Sequence, residues 1–80
     1  MEISELIKAI RSQLGLSQEA FADAIHVAFS TVNRWENNKS TPNGMARVFI
    51  ADYCEKKGVD KELIIALKDS GRTDKSKEDN

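Results

Sequence analysis

The sequence predicts an all-α fold of five short helices around one core, and three observations carry that prediction. Apolar residues recur three and four apart along most of the chain, the spacing that makes one stripe on a helix of period 3.6. Strand-like alternation of any length is absent, and no segment repeats another at the solenoid periods of about 20 to 50 residues. Gly15, Pro42 and Gly58 fall between the periodic stretches, where helices stop.

The first helix carries Ile3, Leu6, Ile7, Ile10 and Leu14 on one side, and Gly15 ends it as a left-handed cap. Ser17 offers its hydroxyl to the free amides of a second helix, Gln18 to about Ile25, with Glu19 on the favourable side of the macrodipole. Phe21, Ala22 and Ile25 form its inner face. His26, Val27 and Ala28 break the pattern, and a third helix follows from about Phe29 to Asn37 with Val32 and Trp35 inward. Asn38 suits positive φ at its end, and Lys39, Ser40 and Thr41 lead through a loop to Pro42.

Asn43 caps a fourth helix from about Gly44 to Lys57, where Met45, Val48, Phe49, Asp52 and Tyr53 show helical spacing and Gly58 supplies the stop. Asp60 caps a short fifth helix, Lys61 to Leu67, with Leu63, Ile64 and Leu67 on one side. Positions 69–80 hold no large apolar residue, so the expected division is a domain over 1–68 and a flexible polar tail over 69–80. Helices this short are marginal in isolation, and their stability must come from burying the stripes together.

Composition bounds the function. Eighty residues, 40% hydrophobic and 31% charged with one Pro and four Gly, make one folded domain that is neither low-complexity nor disordered. A chain of this size buries only about 60 to 65% of its unfolded surface and has little interior for a large substrate pocket. Cys54 and His26 are the only residues of their kinds and sit on different elements, so no disulfide or multi-cysteine metal site can form within the chain. No Gly-rich phosphate loop or carboxylate pair appears on a common face. The expectation is a protein that is not an enzyme and has no cofactor and no metal. No apolar run approaches the roughly 18 residues that cross a bilayer, and Met-Glu-Ile-Ser-Glu lacks a basic secretory start. A soluble, cytoplasmic protein with no membrane partner is therefore expected.

The informative segment is Ser17 to Glu36, SQEAFADAIHVAFSTVNRWE, two helices joined by a three-residue break with small Ala22 at their close approach. This is the helix-turn-helix arrangement. On Leu16-Ser17-Gln18-Glu19-Ala20-Phe21-Ala22, Ser30-Thr31-Val32-Asn33-Arg34-Trp35-Glu36, and Pro42 six residues after Glu36, the stretch from Ile7 to about Val59 resembles the DNA-binding domain of the phage-repressor and Cro family, the XRE type. The resemblance covers about two thirds of the chain and is specific because several residue types and spacings match together. It implies a compact five-helix, lambda-repressor-like domain whose third helix enters the major groove of double-stranded DNA.

With Val32 and Trp35 inward, Phe29, Ser30, Asn33, Arg34 and Asn37 point outward. Arg34 suits guanine O6 and N7, Asn33 suits adenine, Ser30 donates or accepts, and Phe29 packs on a thymine methyl; these four are the base-reading candidates. The competing reading for each is an ordinary solvated helix face. By resemblance Gln18 holds a phosphate, at a helix start whose free amides favour one. Lys39, Thr41 and Arg47 are the further phosphate candidates, Lys39 also being explicable as a solubilising charge. The net charge is -1, but between Ala28 and Arg47 the cations Arg34, Lys39 and Arg47 outnumber Glu36 by two.

In the family an arginine of the first helix pairs with the acid that ends the motif, and Arg11 and Glu36 stand at those positions. The sequence departs from the family pattern at His26, where the turn usually has glycine, at Ala28, where a Ser or Thr normally caps the third helix, and at Asn38 in place of a common glycine. His26 is read as a tolerated turn residue rather than a pH sensor. The leading expectation is a transcriptional regulator binding DNA as a homodimer on half-sites about one turn apart. Leu63, Ile64 and Leu67 are either its dimer surface or the lid of the core. The alternative is a DNA-targeting or protein-interaction module of a larger assembly, an antitoxin or methylase-associated subunit with a second protein as partner.

Overall fold

A computed structural model describes residues 1–78 and contains, among them, α1 (Ile3–Leu14), α2 (Gln18–Ala24), α3 (Phe29–Glu36), α4 (Gly44–Lys57) and α5 (Lys61–Glu78). The helix ends follow from local chemistry. Gly15 and Gly58 close α1 and α4 in the left-handed conformation at φ 70° and 77°. Ser17 Oγ accepts the Ala20 amide at 3.0 Å and Asn43 Oδ1 the Ala46 amide at 2.9 Å, capping α2 and α4. His26 and Asn38 both adopt positive φ, 65° and 61°, as the departures from glycine at those positions require. Ala28 starts α3 with no side-chain cap.

Packing joins α2 to α3, α1 to both α3 and α5, and α4 to α5. The core they enclose holds Leu6, Ile7 and Ile10 of α1, Phe21 and Ala22 of α2, and Val32 and Trp35 of α3. Ala46, Ile50, Ala51 and Cys54 of α4, Ile64 and Leu67 of α5, and Ile25 and Val59 from the helix connections complete it. Gln13 ties α1 to the start of α5 through a reciprocal pair: its amide nitrogen donates to Asp60 Oδ2 and its oxygen accepts the Asp60 amide, both at 3.0 Å. The Asp60 carboxylate, expected as a local cap, thus serves a contact 47 positions away.

The structure decides which faces of α4 and α5 turn inward, a choice the periodicity leaves open, and it changes one expectation about length. On α4 the buried residues are Ala46, Ile50, Ala51 and Cys54, whereas Met45, Val48 and Phe49 face outward. On α5, Ile64 and Leu67 are buried and Leu63 half-buried, so this stripe is the lid of the core and Ile65 is the exposed apolar residue. The fifth helix also continues past Leu67 to Glu78; just beyond the apolar stripe Ser70 donates to the Leu67 carbonyl at 2.7 Å and accepts from Arg47 Nε of α4 at 3.2 Å. The last two residues of the expected tail over 69–80 lie outside the described residues.

Candidate nucleic-acid interface

The outward face of α3 follows from what α3 buries. Val32, Trp35 and Glu36 turn inward, which leaves Phe29, Ser30, Arg34 and Asn37 exposed, Phe29 by 51%. Three of the four base-reading candidates therefore stand free on one face. Asn33 is half-buried beside them, and its amide nitrogen donates to Gln18 Oε1 at 3.2 Å. Asn37 in turn donates to the Asn33 side-chain oxygen at 3.1 Å and to its carbonyl at 2.8 Å. A primary amide has two donors and two lone pairs. After these two bonds Asn33 keeps one of each, the number that a bidentate contact with adenine takes.

The network continues inward to an ion pair. Gln18 Nε2 donates to Glu36 Oε1 at 2.9 Å, and Arg11 donates to both carboxylate oxygens of Glu36, at 2.7 and 3.1 Å. A third Arg11 nitrogen donates to the Leu16 carbonyl at 3.0 Å, across the α1–α2 turn. Glu36 is only 4% exposed. Burial disfavours its charged form, but hydrogen bonds from Arg11 and Gln18, with the charges of Arg11 and Lys8, outweigh burial and hold its pKa below the ordinary 4.5. The hydrogen bond to Glu36 raises the Arg11 pKa against a desolvation penalty, with their mutual attraction adding to it. The Arg11 and Glu36 pairing implied by the family resemblance is present, and it clamps the end of α3 to α1.

The remaining candidates divide by position. Lys39 and Thr41 are exposed in the α3–α4 connection, and the Lys39 amide donates to the Arg34 carbonyl at 2.9 Å, seating the loop against the end of α3. Arg47 is half-buried and turned toward α5, its Nε donating to Ser70 Oγ at 3.2 Å. With Glu36 neutralised by Arg11 and Arg47 committed to α5, the positive charge that α3 and its following loop present outward is that of Arg34 and Lys39. Gln18 stands at the first position of α2 with its oxygen and one N–H engaged, which leaves one N–H free.

Sequence reasoning treated Gln18 and Asn33 as independent contacts and missed that they hold one another. No local signal marks the pair, which lies 15 positions apart and meets only because α2 packs on α3.

The helix pair at this face, its positive-φ turn at His26 and the clamp of half-buried Arg11 on buried Glu36 are accompanied by a family match. A helix-turn-helix family model fits residues 7–57. The chain belongs to the XRE-type helix-turn-helix family. The match includes α2, α3 and α4 and most of α1, and excludes α5. The chain is also 40% identical over 40 residues to antitoxin HigA-2 of Vibrio cholerae serotype O1, a match spanning 50% of this chain and 38% of that protein. No solved structure matches the chain. In helix-turn-helix domains the second helix of the pair is the one that lies in the major groove, and α3 is the second helix of the pair here.

Proposed function

We propose that this protein is a sequence-specific DNA-binding regulator that reads the major groove of double-stranded DNA with α3. The observation that carries the reading is the free face of Phe29, Ser30 and Arg34 on a helix anchored from behind by Val32, Trp35 and the Glu36 clamp. A reading helix needs a firmly packed back and outer side chains open to base edges, and the packing of Val32, Trp35 and Glu36 behind exposed Phe29, Ser30 and Arg34 supports that reading. Arg34 forks onto guanine, Asn33 takes adenine in the orientation set by Gln18, Ser30 reads an adjacent edge and Phe29 packs on a thymine methyl. Gln18, Lys39 and Thr41 hold phosphates around them, with Arg47 the remote member of the set. The protein acts by binding rather than by turnover, on two half-sites about one helical turn apart as a homodimer. The domain over 1–68 performs this, in the cytoplasm where its DNA lies.

Selecting bound duplexes from a random pool tests the assignment. Arg34→Ala relaxes preference at one base position and costs about 1 to 3 kcal/mol, whereas Lys39→Ala weakens all sequences alike. If a dimer neutralises about 6 phosphates, log affinity falls against log salt with a slope of about -5. Equal losses on every sequence for both variants would remove the division between base readers and phosphate holders.

The likeness to an antitoxin supports a second reading, in which this chain is the DNA-targeting half of a two-protein system. Expression of the full chain in its native host with a purification tag tests it. A stoichiometric second protein retained at high salt favours that reading, and recovery of the chain alone counts against it.

A further inference from the structure

The core leaves one face of α4 without a purpose. Met45, Val48 and Phe49 are 70%, 67% and 45% exposed, while the opposite side of the helix is buried. At 100° per residue the three share a strip that continues to Asp52 and Lys56. Single exposed apolar residues are ordinary on a protein surface, but three large ones side by side make a patch of roughly 300 Å², within the range of the largest patch on a monomer, which is often functional. Helix formation does not demand them, since Lys or Glu would hold an exposed helical position at least as well and Val holds it worse.

The strip lies beside the outward face of α3. Met45 and Phe49 line a groove of about 360 Å³ together with Arg34, Thr31, Thr41 and His26, so the strip runs into the same edge of the molecule as the recognition helix. The Phe49 ring meets the His26 ring edge-on with centroids 6.4 Å apart. Asp52 and Lys56 pair with each other at 3.2 Å, so the strip presents no net charge to repel an identical strip.

We infer that the occupant is a second copy of this chain, packed α4 against α4 about a two-fold axis with Val48 of one helix beside Phe49 of the other. Such an interface is isologous, the same patch serving both copies. This inference rests on the two-half-site reading above and adds the surface that joins the copies. Area decides when they join. Two strips of roughly 300 Å² supply about half of the 1,200 Å² that stable specific interfaces bury. Free chains therefore associate weakly, and pairing completes on DNA, where neighbouring half-sites hold two copies at high effective concentration.

Val48→Glu tests the surface in the full chain, with circular dichroism confirming that the helices persist at this exposed position. Sedimentation of both proteins is followed up to about 1 mM, a concentration of the order that neighbouring sites supply. Gel shifts then measure binding of a first and a second copy to duplexes selected from a random pool. The expected result is weak self-association that Val48→Glu abolishes, with second-copy binding weakened about ten-fold or more and first-copy affinity unchanged. Loss of either self-association or cooperativity in the variant supports the surface, and no change in both overturns it. If neither protein binds any duplex while self-association still depends on Val48, the DNA reading fails and this surface stands.

Discussion

Arg11→Met removes the cation that lies against buried Glu36 while keeping a long, helix-compatible side chain in α1. Three donated hydrogen bonds disappear, two to the Glu36 carboxylate and one to the Leu16 carbonyl. The carboxylate, 4% exposed in the native protein, keeps only Gln18 as a hydrogen-bond donor. Leaving one member of a buried pair charged and alone costs about 3 to 5 kcal/mol. Glu36 has one escape, which is to take up a proton. From an ordinary pKa of 4.5, neutralising it at pH 7 spans 2.5 pH units at about 1.36 kcal/mol each, about 3.4 kcal/mol in all. That figure caps the penalty that an unpaired Glu36 imposes on the variant at pH 7, and at pH 5 the same cap is about 0.7 kcal/mol. Loss of the Leu16 contact adds about 1 kcal/mol at either pH.

The direction of the pH effect differs between the two proteins. In the wild type the Glu36 pKa is lowered, so its contribution is complete above 4.5 and is lost as pH falls through the lower native value. In the variant, burial without the cation raises the pKa, so the penalty grows as pH climbs above 4.5. The stability gap between the proteins should therefore be about 3 to 4 kcal/mol at pH 7 and shrink by about 2 to 3 kcal/mol at pH 5. Trp35, the sole tryptophan and 3% exposed, reports urea unfolding by fluorescence. A gap that is the same at both pH values, or below about 1 kcal/mol at pH 7, would refute the assignment of Glu36 as a buried charge held by Arg11.

Three further outcomes are expected. His26→Gly relieves a left-handed residue at φ 65°, about 1 to 2 kcal/mol, and gives up the edge contact with Phe49, about 0.5 to 1.5 kcal/mol; midpoints of the two ranges leave a gain of about 0.5 kcal/mol, so Tm is expected to hold or rise slightly. A clear fall in Tm would show that the ring contact outweighs the backbone strain. Ala28→Ser supplies the cap that α3 lacks and stabilises the protein by about 0.5 to 1 kcal/mol, read as a shift of the urea midpoint; an unchanged midpoint would mean that water already satisfies those amides. Cys54 is fully buried, and burial with the charge of Glu55 pushes its thiol up to about 11. A thiol reagent at neutral pH should label it only at the rate of opening, accelerating with urea, and immediate labelling of the native protein would contradict its place in the core.

How much of this was legible in advance depended on the range of the interaction. Gly15, Ser17, Asn43 and Gly58 act on amides and carbonyls within a few residues of themselves, so the primary structure was enough to place the ends they cap. The outward set Phe29, Ser30 and Arg34 was equally plain, because α3 has one apolar side and its opposite follows from geometry. Family resemblance supplied Arg11 and Glu36, which no local pattern links.

Other features became definite only when the helices met. Two apolar rows interleave on α4, and periodicity marks both as helical without choosing between them. Packing chose the row with Ala46 and Ala51, whose small side chains let α4 approach its neighbours, and left Met45, Val48 and Phe49 outside. The chain from Asn33 through Gln18 to Glu36, and the link from Gln13 to Asp60, likewise join residues of different elements through short polar groups. Hydrogen bonds of that reach depend on distances of about 3 Å, which a linear order of residues does not contain and a packed core imposes.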